Sequence, residues 1–358
     1  MVTLALGMIQ RGYQVELFCY APGDLLVKPL YDAGIPLHRY FKRSRYSPDV
    51  IFALRNLVVR RKYNLVLSYL TTPNFYAILV GRILNLHRIP VIVSERRIDL
   101  PSGASLLEKT MRQFYRLATH VVTNSHYQQD SLANKFPWLR SRLSTIYNGY
   151  DLQLFSPAIT EINNHPIKIL VIASATPQKN GVCLVEALNI LRQRYNLSPC
   201  VDWIGRRIMH GDQLEYLNQM NYLLKAYGLE QQWQWLNMRY DIVDQLHQHD
   251  VLVHPSYVEG LPNVVCEALA CARPVIVSDT LDHSRLVQHG ESGYLFDYQN
   301  PADLADKIKM FADLQVNERR KMGVCGRHFA EINLSQERLV EDYERLFMNV
   351  MNQEQSTY

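Results

Sequence analysis

Residues 251–278 have the sequence VLVHPSYVEGLPNVVCEALACARPVIVS. The apolar run at 251–254 predicts a short buried strand, and residues 262–271 have the apolar spacing of a helix. A second apolar run at 274–278 predicts another strand. A strand, a helix and a strand in such close succession indicate two parallel strands joined by a crossover helix.

The same alternation extends on both sides of this stretch. Upstream in the second half, strands are predicted at 167–173, 201–205 and 233–236, and helices at 181–194, 213–227 and 242–249. In the first half, strands are predicted at 14–20, 65–69, 91–94 and 121–124, and helices at 48–62, 74–86 and 105–118. After residue 278 the pattern is helical to the end, and the last helix covers 335–352. This order predicts the α/β class, with parallel sheets covered by helices on both faces.

The 358 residues predict two domains in tandem. A turn signal at Asn148-Gly149 and a polar stretch without clear periodicity separate two series of strands and helices. We expect a first Rossmann-like domain at 1–150, a linker at 151–165 and a second Rossmann-like domain at 166–334. Two doubly wound domains of this kind place a ligand cleft between them, at the carboxyl ends of their strands.

The start of the sequence departs from this pattern. Residues 2–10 predict a helix that ends at Gly12, whereas a doubly wound domain normally begins with a strand and a glycine-rich turn. We therefore expect that the first strand and the Gly-rich loop of the N-terminal domain are missing from this sequence. The strands that would flank the missing one would then have unpaired edges.

Composition excludes several classes of protein. With 47% hydrophobic and 20% charged residues, the chain is neither disordered nor fibrous. It contains no uncharged apolar run of about 18 residues, and its first residues lack the features of a signal peptide. Six separated cysteines without a Cys-x-x-Cys pair fit a reducing cytoplasm better than disulfides or a zinc site. We expect a cytoplasmic location.

The two halves carry opposite charge. Residues 1–155 have a net charge of +11, and residues 156–358 have −7. A basic half is compatible with an anionic membrane surface, a phosphorylated substrate or nucleic acid, and equally with ordinary solvated helix faces. We expect no nucleic acid partner, because no nucleic-acid-binding motif is present.

The candidate site lies in the stretch quoted above. The Gly260-Leu261 turn leads from a strand into a helix at which Pro262 suits the first position, and the backbone N–H groups there can bind an anion. Glu259 and Glu267 flank this turn. Two carboxylates beside an anion site suit a phosphorylated, polyhydroxylated ligand. Alternatively, Glu259 caps the turn and Glu267 is a solvated helix residue.

The segment EGLPNVVCE, with Glu-x7-Glu spacing, resembles the signature of the retaining glycosyltransferases of family four, which have the GT-B fold. The similarity extends over about residues 1–350. It includes, besides this segment, PQKNG at 177–181, VTNS at 122–125, YNGYD at 147–151 and GESGYL at 290–295.

The resemblance implies roles for individual residues. Glu259 would contact the hydroxyls of a donor sugar, and Glu267 would bind the ribose of its nucleotide. Lys179 would neutralise the diphosphate as the sugar leaves. The remaining donor-binding positions implied in this segment are Gly260, Leu261, Pro262 and Asn263. The final helix, within 335–358, would pack back on the first domain.

Three further positions follow from the same comparison. Ser174 stands where the family usually has an arginine, and loss of one charge-assisted contact costs roughly 1.5–3 kcal/mol. Arg206 or Arg207 is a substitute, unless both are simply surface arginines. Arg239 falls where relatives hold the nucleobase, although as an isolated residue it would be a solvated loop arginine.

The segment Val93-Ser94-Glu95-Arg96-Arg97 resembles a subset of the family that uses UDP-linked sugars, often N-acetylhexosamines, and builds lipid-linked or cell-surface glycans. Glu95 and Arg96 would face the acceptor or the phosphates. Alternatively, residues 95–97 form a structural ion cluster. The basic first half would dock on an anionic membrane surface, which predicts a peripheral protein on the inner face of the cell membrane.

The resemblance predicts a retaining, metal-independent glycosyltransferase that moves a hexose or N-acetylhexosamine from a nucleotide sugar to a glycan or lipid-linked acceptor. The absence of any Asp-x-Asp from the sequence is consistent with a metal-independent site, and no other cofactor is expected. Ser174 and the missing start favour an alternative, a nucleotide-sugar-binding pseudo-enzyme or partner subunit. A phosphorylase would need a cofactor lysine environment that is not apparent. A dehydrogenase is not expected, because Gly-x-Gly-x-x-Gly is absent.

Overall fold

The computed structural model describes residues 1–20, 28–42, 48–85, 88–96, 105–158, 166–207 and 210–355. The chain forms two compact units. The first consists of Met1–Gly149 with Gln336–Tyr358, and the second is Tyr150–Ser335.

The first unit alternates strands and helices along the chain. Its described strands and α-helices before residue 150 are α1 (Val2–Gln10), β1 (Leu17–Cys19), α2 (Lys28–Asp32), β2 (Leu37–Arg39), α3 (Asp49–Arg61), β3 (Val66–Tyr69), α4 (Thr71–Ile78), β4 (Val91–Glu95), α5 (Leu106–Gln113), β5 (His120–Thr123), α6 (His126–Lys135) and β6 (Leu143–Thr145). A π-helical segment, Leu79–Ile83, continues α4.

The strands of the first unit form two separate parallel sheets within the described residues, β1-β2 and β3-β4-β5-β6. In β4, Val91 and Val93 pack into one apolar cluster, and Ile92 packs into another on the opposite face. Such burial on both faces is typical of parallel sheets. No hydrogen-bonded pairing joins β1 to β3 in the described part of the chain.

The second unit repeats the alternation with a larger sheet. Its described strands and α-helices are β7 (Lys168–Ile172), α7 (Gly181–Tyr195), β8 (Cys200–Ile204), α8 (Gly211–Ala226), β9 (Trp233–Leu236), α9 (Ile242–Gln248), β10 (Val251–His254), α10 (Asn263–Ala270), β11 (Val275–Ser278), α11 (His283–Leu286), β12 (Gly293–Phe296), α12 (Pro301–Asp313) and α13 (Val316–Asn333). The strands pair in the order β12-β11-β10-β7-β8-β9, all parallel.

The predicted α/β class with parallel sheets is confirmed, but several element predictions were wrong. The strand expected at 14–20 pairs only over Leu17–Cys19, along the length of its short partner β2. The helix expected at 74–86 begins at Thr71, because Pro73 fits the first turn of a helix. Residues 86 and 87 lie outside the described residues. The helical pattern expected throughout after residue 278 is interrupted by β12.

The final helix, α14 (Gln336–Gln355), belongs to the first unit. Its Leu339, Val340 and Tyr343 share an apolar cluster with Leu4 and Met8 of α1.

Gly7 allows the two helices to approach closely. A Cβ at this position would lie 2.3 Å from a methyl carbon of Val340. Any larger residue at position 7 would therefore push α1 away from α14.

Among the described helices, none combines the length and the apolar character that crossing a membrane requires.

The start of the predicted linker is bound to the second unit. Arg327 of α13 donates to the carbonyl oxygens of Phe155 at 2.7 Å and Leu152 at 3.2 Å. Tyr150 N–H donates to the Leu334 carbonyl at 2.8 Å. The remaining part of the predicted linker, 159–165, lies outside the described residues.

Candidate functional site

Two central strands of the second unit, β7 and β10, lie where the strand order reverses. They are hydrogen-bonded neighbours, and the sheet continues through β8 on one side and β11 on the other. In open parallel sheets, ligands bind at the carboxyl ends of the strands that flank such a point. The loops 173–180 and 255–262, which follow β7 and β10, therefore form the candidate site.

Backbone hydrogen bonds hold these two loops together. The Gln178 carbonyl accepts from the Tyr257 N–H and from the Ser256 hydroxyl, each at 3.1 Å. Pro177–Lys179 forms a single 3-10 turn that ends at Asn180, whose φ is +53°. The Asn180 amide donates to the Tyr298 carbonyl at 2.9 Å. These contacts bring Lys179 beside the loop that follows β10.

Glu259 is bound by two protein donors. Its Oε1 accepts from Lys179 Nζ in an ion pair and lies 3.0 Å from Nε2 of His254, the last residue of β10. Burial would raise the pKa of Glu259, but hydrogen bonds and electrostatic interactions with His254 and Lys179 lower this pKa to about 2. The structure therefore brings together two residues predicted from the sequence, Glu259 and Lys179, as a carboxylate and an ammonium ion.

The turn after Glu259 leads into α10. The helix begins at Asn263, and Pro262 precedes it with φ −75° and ψ +89°, so the prediction of Pro262 as the first helical residue was wrong. The Pro262 carbonyl instead accepts from the N–H groups of Val265 and Cys266. In general, the N–H groups at the very start of a helix, before those that reach such a carbonyl, have no intrahelical acceptor and form a positive helix terminus. This terminus directly follows Gly260 and Leu261.

The side chain of Asn263 is hydrogen-bonded to a buried tyrosine. The Tyr150 hydroxyl lies 2.6 Å from Asn263 Oδ1 and donates to it. Tyr150 is 7% exposed. The YNGYD segment thus contributes a residue that supports the start of α10, a contact that the sequence did not indicate.

Glu267 lies on α10 and differs from Glu259. Burial alone raises its pKa to about 7. Within the described residues, no ion pair or hydrogen bond engages its side chain. Glu267 is thus a half-buried carboxyl group with unused hydrogen-bonding capacity, which suits a hydroxyl-bearing ligand.

Ser174 lies in the loop after β7, next to the end of β8. The Ala175 N–H donates to the Arg206 carbonyl at 3.1 Å, and Gly205 packs so closely that a Cβ there would lie 2.0 Å from the Ala173 carbonyl oxygen. Arg206 and Arg207 are both exposed, and Arg207 donates to Asn237 Oδ1 at 3.2 Å. That Arg206 or Arg207 takes over the role of the family arginine that Ser174 replaces stays a prediction.

Arg239 is exposed and forms an ion pair with Asp241. Its Nε and Nη2 donate to the two carboxylate oxygens of Asp241 at 2.8 and 2.6 Å. The hydrogen bond from Arg239 is the main reason why the pKa of Asp241 falls to about 2. A contact between Arg239 and a nucleobase remains a prediction. In such a contact the guanidinium would either keep or give up its hydrogen bonds to Asp241.

In the first unit, the structure contradicts the placement of Glu95 toward an acceptor. Glu95 is fully buried at the end of β4. Its Oε2 accepts from Tyr115 at 2.7 Å and Thr71 at 3.1 Å, and lies 3.4 Å from Nε of Arg112. Glu95 therefore holds α4 and α5 against the sheet. This agrees in part with the alternative stated above, in which Glu95 belongs to a structural ion cluster, but the cation beside it is Arg112.

Arg96, the next residue, is engaged within the first unit. Its guanidinium donates to Ser94 Oγ at 2.9 Å, to the Tyr343 hydroxyl at 3.1 Å and to Asn148 Oδ1. Its Cζ lies 5.0 Å from the centroid of the Tyr69 ring. This arginine joins β4 to α14. Arg97 lies outside the described residues.

His254 was not singled out from the sequence, although it stands in the segment that carries the site. The signal was a polar residue at the end of an apolar strand, five positions before Glu259. A residue at the carboxyl end of a central strand lies next to the region where ligands bind. His283, which packs against His254, had no comparable signal, because only the tertiary fold brings the two rings together.

Comparison with known proteins identifies the family and the fold of the chain. Residues 154–329 match the family model of the glycosyl transferases group 1, and residues 1–154 match that of glycosyltransferase family 4. A relative in Campylobacter jejuni is 24% identical over 94% of this chain and 92% of its own. It is named N,N'-diacetylbacillosaminyl-diphospho-undecaprenol alpha-1,3-N-acetylgalactosaminyltransferase.

Solved structures share the fold at low identity. A glycosyltransferase from Rickettsia africae has a TM-score of 0.83 at 17% identity, covering 98% of this chain and 93% of its own. Anabaena HepE in complex with UDP has a TM-score of 0.82 at 18% identity, covering 97% and 96%. These similarities agree with the predicted GT-B fold of two Rossmann-like domains. Together the two family models span residues 1–329, and the chain belongs to the family-four glycosyltransferases with a group 1 glycosyl transferase domain.

Proposed function

We propose that this glycosyltransferase moves a hexose or N-acetylhexosamine, with retention of configuration, from a UDP-linked donor to a glycan or lipid-linked acceptor in cell-surface polysaccharide biosynthesis. The observation that carries the proposal is the pairing of Lys179 with Glu259 at the reversal point of the second sheet. The name of the Campylobacter relative, which includes a diphospho-undecaprenol acceptor, supports a lipid-linked acceptor. The UDP bound to Anabaena HepE supports a uridine nucleotide.

The geometry fits the charge changes of this reaction. When the bond between the anomeric carbon and the diphosphate breaks, negative charge develops on the β-phosphate. A fixed ammonium group and helix N–H groups stabilise such charge without reorganisation. Lys179 and the start of α10 supply both groups on adjacent loops. Glu259, which remains ionised at neutral pH, accepts hydrogen bonds from the sugar hydroxyls.

Retention follows if the acceptor attacks from the face that the diphosphate leaves. The acceptor oxygen forms the new bond to the anomeric carbon, and its proton passes to the departing phosphate oxygen. This route needs no protein nucleophile. It also needs no metal ion, because Lys179 and the α10 N–H groups supply the positive charge.

The unit that carries this site can be tested first by nucleotide binding. Calorimetric titration of the full chain with UDP, and with GDP as the control nucleotide, should show selective UDP binding. Glu267→Ala should abolish this binding, because Glu267 is proposed to hold the ribose. Glu291→Ala, which removes an exposed carboxylate of the same unit, should leave it unchanged.

The outcomes separate the proposal from its alternatives. If only GDP binds, the donor is a guanosine-linked sugar. If UDP binds but UDP-sugars release no UDP with Glu259 intact, the chain is a nucleotide-sugar-binding pseudo-enzyme. If neither nucleotide binds the folded chain, the transferase site assigned to this unit is wrong.

We also propose that the first unit docks on an anionic membrane surface on the cytoplasmic face. Phe52 and Val59, on one side of α3, are 62% and 46% exposed. Ile83 and Leu84, at the end of the π-helical segment, are 48% and 40% exposed. Arg55 of α3 donates to the Leu84 carbonyl at 2.9 Å, which places the two segments side by side.

Basic residues accompany this exposed apolar surface. Arg60, Arg61 and Lys62 follow at the end of α3, and Arg88 is exposed shortly after the second segment. Apolar side chains that insert between lipids, together with basic residues that contact anionic headgroups, are the features of a peripheral membrane surface. This surface would keep the enzyme near a lipid-linked acceptor.

A further inference from the structure

The burial of His254 limits what its side chain can do at the candidate site. Its side chain is only 2% exposed, whereas Glu259 and Lys179 are 16% and 23% exposed. A ring buried to this extent cannot contact a bound sugar. Any effect of His254 on a donor must therefore pass through Glu259, the group at 3.0 Å from its Nε2.

The two donors that bind Glu259 converge on the same oxygen. Lys179 Nζ and His254 Nε2 both contact Oε1, and no group among the described residues donates to Oε2. One carboxylate oxygen is thus anchored from two directions, and the other retains its full capacity to accept hydrogen bonds. A carboxylate held in this way presents Oε2 in one orientation.

The far side of the His254 ring has no polar contact. Nδ1 of His254 is buried without a hydrogen-bond partner in the described structure. The ring of His283 packs edge-to-face against it, with centroids 5.6 Å apart. Nδ1 of His283 donates to the Ser278 carbonyl at 2.7 Å, which fixes the second ring. His283 therefore supports His254 by packing.

The contact also determines which nitrogen of His254 carries a proton. An ionised carboxylate only accepts hydrogen bonds, so the nitrogen that faces Glu259 must be the donor. That nitrogen is Nε2. The alternative tautomer would place two lone pairs against each other and leave a buried Nδ1–H without an acceptor, which is unfavourable.

We propose that His254 is a positioning residue, which donates from Nε2 to Oε1 of Glu259 and, braced by His283, directs Oε2 toward the donor sugar. The inference rests on the proposed function, because it assigns the means by which Glu259 is oriented for that reaction. In this proposal His254 acts only by orienting Glu259 and does not contact the substrate itself.

Substitutions at position 254 separate the hydrogen bond from the packing. His254→Leu removes the N–H and keeps much of the volume, whereas His254→Gln retains an amide N–H near the position of Nε2. His249 offers a matched control, since it is buried and its Nε2 lies 3.0 Å from a carboxylate oxygen of Asp202. It precedes β10, so it lies at the opposite edge of the sheet from the candidate site.

The kinetic readout is UDP release from UDP-glucose, UDP-galactose, UDP-N-acetylglucosamine or UDP-N-acetylgalactosamine, whichever the wild type hydrolyses fastest. We expect kcat to fall about 10- to 100-fold in His254→Leu, since small misplacements of a reacting group have effects of this size. His254→Gln and His249→Leu should stay within about threefold of the wild type. The Kd for UDP, measured by calorimetry, should be unchanged in all three variants.

A double substitution shows whether the effect passes through Glu259. In the Glu259→Gln background, adding His254→Leu should lower kcat no further, because the carboxylate to be oriented is already gone. A second independent loss of about tenfold or more would contradict the proposal. A value of kcat within twofold of the wild type for His254→Leu alone would also overturn it.

The wild-type chain itself provides a readout that needs no activity. In ¹⁵N NMR spectra of histidine-labelled protein, His254, assigned by comparison with His254→Gln, should carry its proton on Nε2. A bare Nε2 with a protonated Nδ1 would refute the contact, even if His254→Leu fails to fold. If the wild type binds no UDP, the proposed function fails, and the spectrum still decides the state of His254.

Discussion

At the scale of the residue, the pKa values of the two glutamates of the candidate site move in opposite directions. Burial raises the pKa of Glu267 from 4.5 to about 7, whereas His254 and Lys179, acting against burial, lower that of Glu259 to about 2. The unfolded chain ionises both near 4.5, so Glu267 destabilises the folded state increasingly as pH rises from about 4.5 to 7. Glu259 stabilises it above 4.5 and loses this contribution as pH falls toward 2.

These signs predict different pH profiles for two matched variants. Glu267→Gln should become more stable than the wild type as pH rises from 5 to 8, by up to about 3 kcal/mol, since a tenfold change in a proton's binding constant corresponds to about 1.4 kcal/mol. Glu259→Gln should be less stable than the wild type by a similar amount at both pH values. Urea unfolding at pH 5 and pH 8 measures both differences. A Glu267→Gln difference that does not change with pH would show that Glu267 is ionised without penalty in the folded protein.

At the scale of the element, Gly205 connects the end of β8 to the loop that contains Ser174. Its φ is +157°, and a Cβ would lie 2.0 Å from the carbonyl oxygen of Ala173. Gly205→Ala should therefore displace the loop after β7, with a loss of about 2 kcal/mol or more and weaker UDP binding. Gly211→Ala, at φ +59° with open space around it, should cost only about 1 kcal/mol and leave UDP binding intact. Equal effects of the two substitutions on UDP binding would contradict this role for Gly205.

Elements with strong local periodicity were predictable from the sequence, and elements that depend on distant partners were not. The strands 233–236 and 251–254 have the predicted bounds, because both are short segments rich in apolar residues that lie between turns. The strand Gly293–Phe296 was missed, since its first residue is a glycine that lies against Val275 of β11 and its four residues show no alternation. The presence of Glu259 and Lys179 in one site followed from a family resemblance, but their ion pair, the contact of His254 with Glu259 and the burial of Glu95 required the tertiary fold.

At the scale of the whole molecule, charge and exposed apolar surface both favour the first unit as a membrane-binding surface. The first unit, residues 1–149 with 336–358, carries a net charge of +9, and the second unit, residues 150–335, carries −5. The exposed Phe52 and Val59 lie on the helix that ends in the basic residues 60–62. The chain should therefore sediment with vesicles rich in anionic lipid at low salt, and this binding should weaken as salt screens the charges.

Substitutions on this surface should weaken vesicle binding in two distinguishable ways. Arg60→Glu should lower the affinity for anionic vesicles by roughly 30-fold at low salt, because reversing one charge removes about 2 kcal/mol of attraction. Phe52→Ser with Val59→Ser should weaken binding at high salt as well, since apolar insertion is not screened. Arg320→Glu with Val324→Ser makes comparable changes on an exposed face of α13 in the second unit and should have little effect. If both sets of variants reduce binding equally, the attraction arises from net charge alone and the surface on α3 is not the docking site.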